Sequence, residues 1–263
     1  LSGGVDSSAA ACILKEQGYD ISGATMRLSD YAADCTAAGR AVAEKLGIPF
    51  HVFDFSAEFR ELVLNDFAES YLSGKTPNPC VECNKTLKFG ALFDIADELS
   101  IPYLATGHYA KIEKDASGEY RLLKAADTNK DQSYFLWQLP KELLPHILFP
   151  LGELTKPEIR ALAAEQGFET AHKSDSQDIC FVPDGDYAAF MGGYTGKTPM
   201  EGDFVDNNGT VLGRHKGIIH YTIGQRKGLG IALGSLPLYA EKTLSPATWC
   251  WARTRISSPA RCI

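Results

Sequence analysis

Ser2-Gly3-Gly4-Val5-Asp6-Ser7 stands directly ahead of Ser8-Ala9-Ala10-Ala11-Cys12-Ile13-Leu14, and its reading decides the fold. Two adjacent glycines let backbone N–H groups approach an anion with no Cβ in the way. The helix that follows adds the partial positive charge of its N-terminus. Ser2 and Ser7 carry hydroxyls that donate to phosphate oxygens, and Asp6 is a candidate to hold a magnesium ion through its waters. Asp6 and Ser7 are also suited to cap a helix whose one face carries Ala10, Ile13 and Leu14 and which ends near Gly18. A glycine pair alone would be an ordinary turn. The whole string before a helix points to a phosphate loop, though not to GxxxxGK[ST], because no Lys follows the glycines.

Working outward, residues 21–28 read as a strand. Ala38, Val42 and Leu46 mark a second helix, stopped by Gly47 and Pro49, and residues 50–55 read as a second strand. Helix and strand alternating over connections this short predict an α/β fold with a parallel sheet covered by helices. Phe59, Leu62, Val63 and Phe67 mark a third helix. Gly74-Lys75-Thr76-Pro77-Asn78-Pro79-Cys80 follows as a stiff extended loop, and residues 85–99 as a fourth helix. A short strand is predicted over 102–106, and a hairpin over 109–113 and 120–124. Thr155-Lys156-Pro157-Glu158 is a capping box with proline in the first turn. Beyond residue 202 the pattern becomes β, with a turn at Asn208-Gly209 and a further strand over 218–223.

The chain has 263 residues and is 44% hydrophobic, enough for a sizeable core. No apolar run approaches the ~20 residues of a membrane-spanning helix. The net charge of -7 argues against a general nucleic-acid binder, although residues 210–231 carry Arg214, Lys216, Arg226 and Lys227 and no acid. Seven scattered cysteines do not form a disulfide scaffold and predict a reducing, cytoplasmic setting. The chain opens on a loop with no strand before it. Residues 249–263 show neither strand alternation nor helical period. Both ends are therefore expected to be cut, the last residues being out of frame, and such a chain is expected to be poorly soluble or inactive.

Cys80-Val81-Glu82-Cys83 is a CxxC. Structural zinc would want a second pair, and a thioredoxin-like motif would want its own fold around it. Placed after the stiff loop at a helix start, its thiolate is expected to be stabilised. Cys180, in Ser174-Asp175-Ser176-Gln177-Asp178-Ile179-Cys180-Phe181, reads by itself as a small buried hydrophobe.

SGGVDS is similar to the pyrophosphate-loop signature of ATP pyrophosphatases, which place AMP on a carbonyl oxygen. With TPNPCVECNKTLKFGAL, ATGHYA, KDQSYFL, SDSQDICFV and YTIGQRKGLGI in the same order, the chain resembles the bacterial tRNA-specific 2-thiouridylases from Leu1 to about Tyr239. The resemblance implies ATP contacts at Ser2, Gly3, Gly4, Val5, Asp6, Ser7, Met26 and Gly107. It implies a nucleophile at Cys83 and a persulfide at Cys180. Asn78, Pro79 and Cys80 would face the target base, and His108, Lys130, Asp131 and Gln132 would contact tRNA. Many members carry Asp where this chain has Cys80.

The implied activity is ATP- and Mg2+-dependent 2-thiolation of uridine at the tRNA wobble position. The partners would be the tRNA and a sulfur-relay protein that loads the persulfide, acting on a monomer. Cys80, Cys83 and Cys180 are also candidate ligands of a [4Fe–4S] cluster with one open iron. Two rivals remain: another pyrophosphate-loop ligase or amidotransferase acting on a small molecule, and a non-catalytic metal- or RNA-binding module. Three domains are expected: the ATP-binding unit over 1–136, a helical tRNA-binding unit over 137–200, and a truncated β unit over 201–263.

Overall fold

The computed structural model describes residues 1–30, 35–168, 171, 179–197, 200–206, 208–231, 238–243 and 249–254. They form two compact units. One comprises Leu1–Leu64 and Pro79–Pro183, the other Asn65–Asn78 and Asp184–Ile263. The described residues between 137 and 183 belong to the first unit, and residues 65–78 to the second.

The first unit is α/β. Helix α1 (Val5–Glu16) leads to strand β1 (Gly23–Arg27), then helix α2 (Thr36–Leu46) and strand β2 (Phe50–Asp54). β1 and β2 pair in parallel, from Gly23 opposite Phe50 to Arg27 opposite Asp54. Gly47 ends α2 at φ +64°, a conformation that favours glycine. Helix α3 (Ser56–Phe59) runs into a π-helical turn, Arg60–Leu64. Strands β3 (Leu104–Ala105) and β6 (Ile147–Leu148) form a second parallel pair. Between them in sequence lies the predicted hairpin, β4 (Ala110–Lys114) and β5 (Tyr120–Lys124).

Helix α7 (Lys156–Glu165) begins with the predicted capping box: the Thr155 N–H and hydroxyl both donate to Glu158 Oε2 at 2.7 Å. It packs on α1. The run Ala9-Ala10-Ala11 gives α1 a shallow face, which lets Leu151, Ile159 and Ala163 come close enough to be fully buried in one cluster with Val42 and Tyr109. Leu151, Ile159 and Val42 each contribute about 1.5–3 kcal/mol by leaving water. The core thus clamps the phosphate-loop helix to α7.

The chain from Pro79 to Glu98 is helical without a break, but not as predicted. Helix α5 (Pro79–Cys83) opens on proline, residues Asn84–Ala91 are wound as π-helix, and α6 (Leu92–Glu98) completes the run. The expected start at Lys85 was too late, because proline is at home in a first helical turn.

The second unit contains helix α4 (Asn65–Leu72), helix α8 (Tyr187–Thr195) and a four-stranded sheet. The helices meet through aromatic rings, with Phe67 and Phe190 centroids 6.0 Å apart and Tyr71 stacked on Tyr187 at 6.2 Å. Strands β7 (Gly202–Val205), β8 (Val211–His215), β9 (Leu238–Thr243) and β10 (Trp249–Thr254) lie in the order β8-β7-β10-β9. Phe204, Tyr221 and Leu229 fill its core.

Two expectations fail here. Residues 218–223 are not a strand: Gly217 at φ +114° turns the chain into a 3₁₀ turn, Ile218–His220. Residues 249–254 are a strand, antiparallel to β9 and parallel to β7. Its identity comes from backbone pairing on both sides, which no local period reports.

Candidate active site

The glycine–serine loop is held by its own hydroxyls. Ser7 Oγ lies 3.1 Å from both Ser2 Oγ and the Gly4 carbonyl oxygen, and Ser8 Oγ donates to the same carbonyl at 2.9 Å. Gly3 sits at φ +67°, and a Cβ there would fall 2.3 Å from the Ala38 Cβ. Gly4 is the N-cap of α1, and no side chain caps the helix. The first N–H groups of α1 are thus left for an anion. Gly107, just past β3, lies against this turn: a Cβ would meet Asp6 C at 2.8 Å and Ser7 N at 2.9 Å. The structure therefore brings Gly107 to the phosphate loop across a hundred residues of sequence. Met26 lies half-buried on β1, opposite Phe53.

Asp6 is not open in the way the sequence suggested. Lys156 Nζ lies 2.7 Å from Asp6 Oδ1 and 2.8 Å from Oδ2, and the Tyr109 hydroxyl donates to Oδ1 at 2.7 Å. The lysine ammonium also sits 5.6 Å from the centre of the Tyr109 ring. Lys156 is only 7% exposed. The carboxylate expected to serve magnesium is paired with a buried cation in this structure. Sequence reasoning missed both partners. Lys156 was read only as a position within a capping box, and Tyr109 only as the start of a hairpin.

The second cluster is sulfur. Cys80 and Cys83 lie in the first turn and at the end of α5; Cys83 is buried and Cys80 half-buried. Cys180 reaches the same neighbourhood: desolvation, then the nearness of Cys83 and Cys80, pushes its thiol up to about 12. Burial likewise raises the Cys80 and Cys83 thiols. Lys88, on the π-helical segment, acts against burial at all three. The expected helix-start stabilisation of a thiolate is therefore outweighed by loss of solvent.

One measurement checks this. Cys180 is exposed as a residue, yet its reactivity follows the thiolate fraction rather than exposure. At pH 8, iodoacetamide should alkylate it on the order of a hundred- to a thousandfold more slowly than an unperturbed thiol, with a rate still climbing at pH 11. A plateau by pH 9 would show an ordinary cysteine.

Among the described residues no group of three or more His, Cys, Asp or Glu side chains is placed to hold a metal ion. Cys80, Cys83 and Cys180 are near one another but are not gathered as cluster ligands. Residues 174–178 of the motif around Cys180 lie outside the described residues.

Next to Cys83, Asn84 is 2% exposed; its Nδ2 donates to the Phe135 carbonyl at 3.0 Å, and its Oδ1 has no partner among the described residues. His108 Nδ1 lies 2.7 Å from Thr106 Oγ1. Burial first, and Lys88 second, hold His108 well below the usual imidazole range, so it is neutral near pH 7. Two of the residues expected to contact tRNA also take part in holding the fold. Gln132 pairs with the Tyr109 backbone in both directions, and Asp131 accepts from the Ala125 and Ser133 N–H groups. Lys130 is half-buried. Asn78 closes the segment assigned to the second unit, and Pro79 opens α5 in the first.

An uncapped helix N-terminus under a glycine–serine loop, in a parallel α/β unit, fits the pyrophosphate-loop class that the sequence motif suggests. Comparison with known proteins carries this further. Residues 1–184 match the family model described as tRNA methyl transferase HUP domain, and residues 188–245 match tRNA methyl transferase PRC-barrel domain. The chain is 51% identical over 253 residues to the tRNA-specific 2-thiouridylase MnmA of Bradyrhizobium sp. strain BTAi1, covering 92% of this chain and 64% of that protein. It is 50% identical over 254 residues to the protein of the same name from Geotalea uraniireducens, covering 91% and 68%. The corresponding Clostridioides difficile protein is 49% identical, covering 89% and 68%. The chain belongs to the tRNA-specific 2-thiouridylase family. It spans about two thirds of the length of these relatives.

Proposed function

We propose that this protein uses ATP to replace the C2 oxygen of the wobble uridine of tRNA with sulfur. The observation that carries the reading is the pairing, within one compact unit, of a phosphate loop with thiols drawn from two distant motifs. The loop at Ser2–Ser7 receives the ATP phosphates. The uridine C2 oxygen attacks the α-phosphorus, forming C2–O–AMP and releasing pyrophosphate. An amide-like oxygen is a poor leaving group, and adenylation makes it a good one.

Sulfur comes from a persulfide on Cys180, loaded each turnover by a sulfur-relay protein. The Cys83 thiolate attacks the Cys180 sulfur, forms the Cys83–Cys180 disulfide and expels hydrosulfide. Hydrosulfide adds to C2 and AMP leaves, giving the 2-thiouridine. A thiol reductant then returns the disulfide to two thiols. Burial raises the thiol pKa values, so the resting cysteines stay protonated and Cys83 must lose its proton before it attacks. Lys88 is the cation that favours the thiolate when it is needed.

Incubation with tRNA, ATP and a persulfide donor, followed by mass spectrometry of the nucleosides, tests the reading. One 2-thiouridine and one pyrophosphate per modified tRNA are expected. Pyrophosphate release with a small-molecule acceptor and no thiolated tRNA would overturn it. Cys80 replaces the usual acid beside the target base and has no step of its own in this cycle. Cys80→Asp should therefore retain full thiolation in iron-free protein. Loss of activity with about four irons bound to the parent protein after anaerobic reconstitution would restore the cluster route.

A further inference from the structure

The loop Ser2–Ser7 lacks the lysine that follows the glycines in other phosphate loops, and the fold supplies one from elsewhere. Lys156 Nζ stands 2.7 and 2.8 Å from the two oxygens of Asp6, in the first turn of α1. It comes from the first residue of α7, whose placement is fixed twice. The Thr155–Glu158 capping box sets the helix start, and the Lys156 backbone N–H donates to Asp127 Oδ2 at 3.1 Å.

We propose that Lys156 is a phosphate-binding residue of the ATP site, paired with Asp6 while the site is empty and turned to the β- and γ-phosphates when ATP is present. The inference rests on the ATP reading above and deepens it.

Three observations carry it. A lysine this buried is rare unless paired, and here its partner lies inside the one loop built to receive an anion. Asp6 is the more open member of the pair, its side chain 34% exposed against 9% for Lys156, so an entering anion meets the carboxylate first. A carboxylate within a phosphate site repels a triphosphate, and among the described residues Lys156 and Tyr109 engage it. On moving, the ammonium exchanges one anion for another and itself stays paired. Tyr109 remains hydrogen-bonded to Asp6 Oδ1 and holds that side chain as the lysine leaves.

The test is calorimetric binding of ATP, pyrophosphate and AMP to the full chain, with no tRNA present. Lys156→Met leaves Asp6 unpaired and risks the fold, so the decisive comparison is Asp6→Asn against Asp6→Asn/Lys156→Met. Neither variant carries an unpaired Asp6 charge. If Lys156 binds phosphate, the double variant should bind ATP and pyrophosphate at least tenfold more weakly than Asp6→Asn. AMP, which lacks the β- and γ-phosphates, should change by less than threefold. Lys156→Arg should retain most ATP affinity. Equal ATP affinity in the single and double variants would make Lys156 a structural counter-ion and overturn the proposal. Parallel loss of AMP affinity would do the same. Failure of the unaltered protein to bind ATP would instead remove the ATP reading itself.

Discussion

Cys83→Ser and Cys180→Ser should each reduce 2-thiouridine formation by about three orders of magnitude or more while leaving ATP binding intact. The expectation follows from covalent chemistry: serine holds no sulfane sulfur, and its hydroxyl is a far weaker nucleophile than a thiolate. It also follows from the separation of sites in sequence. The phosphate loop is Ser2–Ser7 with Gly107, and neither cysteine contributes to it. Because Cys83 is buried at 8% exposure, the serine variant should be checked for an unchanged melting temperature. Nucleoside mass spectrometry and ATP calorimetry on the same preparation decide the matter. Normal thiolation in either variant would end the two-cysteine cycle.

Asp6→Ala should lower stability by roughly 2–4 kcal/mol, seen as a melting temperature roughly 5–15 °C lower. The cause is Lys156: without the carboxylate, its ammonium, on a side chain only 9% exposed, loses the anion 2.7 Å away. The lower end of the range allows for the partial exposure of Asp6, which solvent already screens. Saturating ATP should recover much of the loss, since it returns an anion to the ammonium. Thermal melts with and without ATP measure both effects. An unchanged melting temperature would mean that the pair contributes nothing to stability.

The phosphate loop, the parallel pairing of β1 with β2, the hairpin of β4 and β5 and the capping box of α7 were all legible in the sequence. Each is written in neighbouring residues, by glycine, proline, period or cap chemistry. The Lys156–Asp6 pair was not, because nothing local to either residue names the other; only the packing of α1 on α7 joins them. The elevated thiols were missed for a related reason. A cysteine after a proline in a first helical turn suggests a stabilised thiolate, and only the fold reveals how much solvent has been removed. The failure at residues 218–223 was different. The run of apolar and aromatic residues suggested a strand, but Gly217 at φ +114° leads the backbone into a 3₁₀ turn instead.

The ion pair between residues 6 and 156 also has a consequence for how the protein is made. Synthesis runs from the N-terminus, so α1 and its loop leave the ribosome long before α7 exists. Until α7 emerges and docks, the loop carries its carboxylate without the lysine, Ile159 and Ala163 are missing from the core, and α1 has no cover on that side. A nascent chain that stops short of α7 should therefore neither hold ATP nor resist proteases. Nucleotide binding is thus expected only once the first unit is nearly complete.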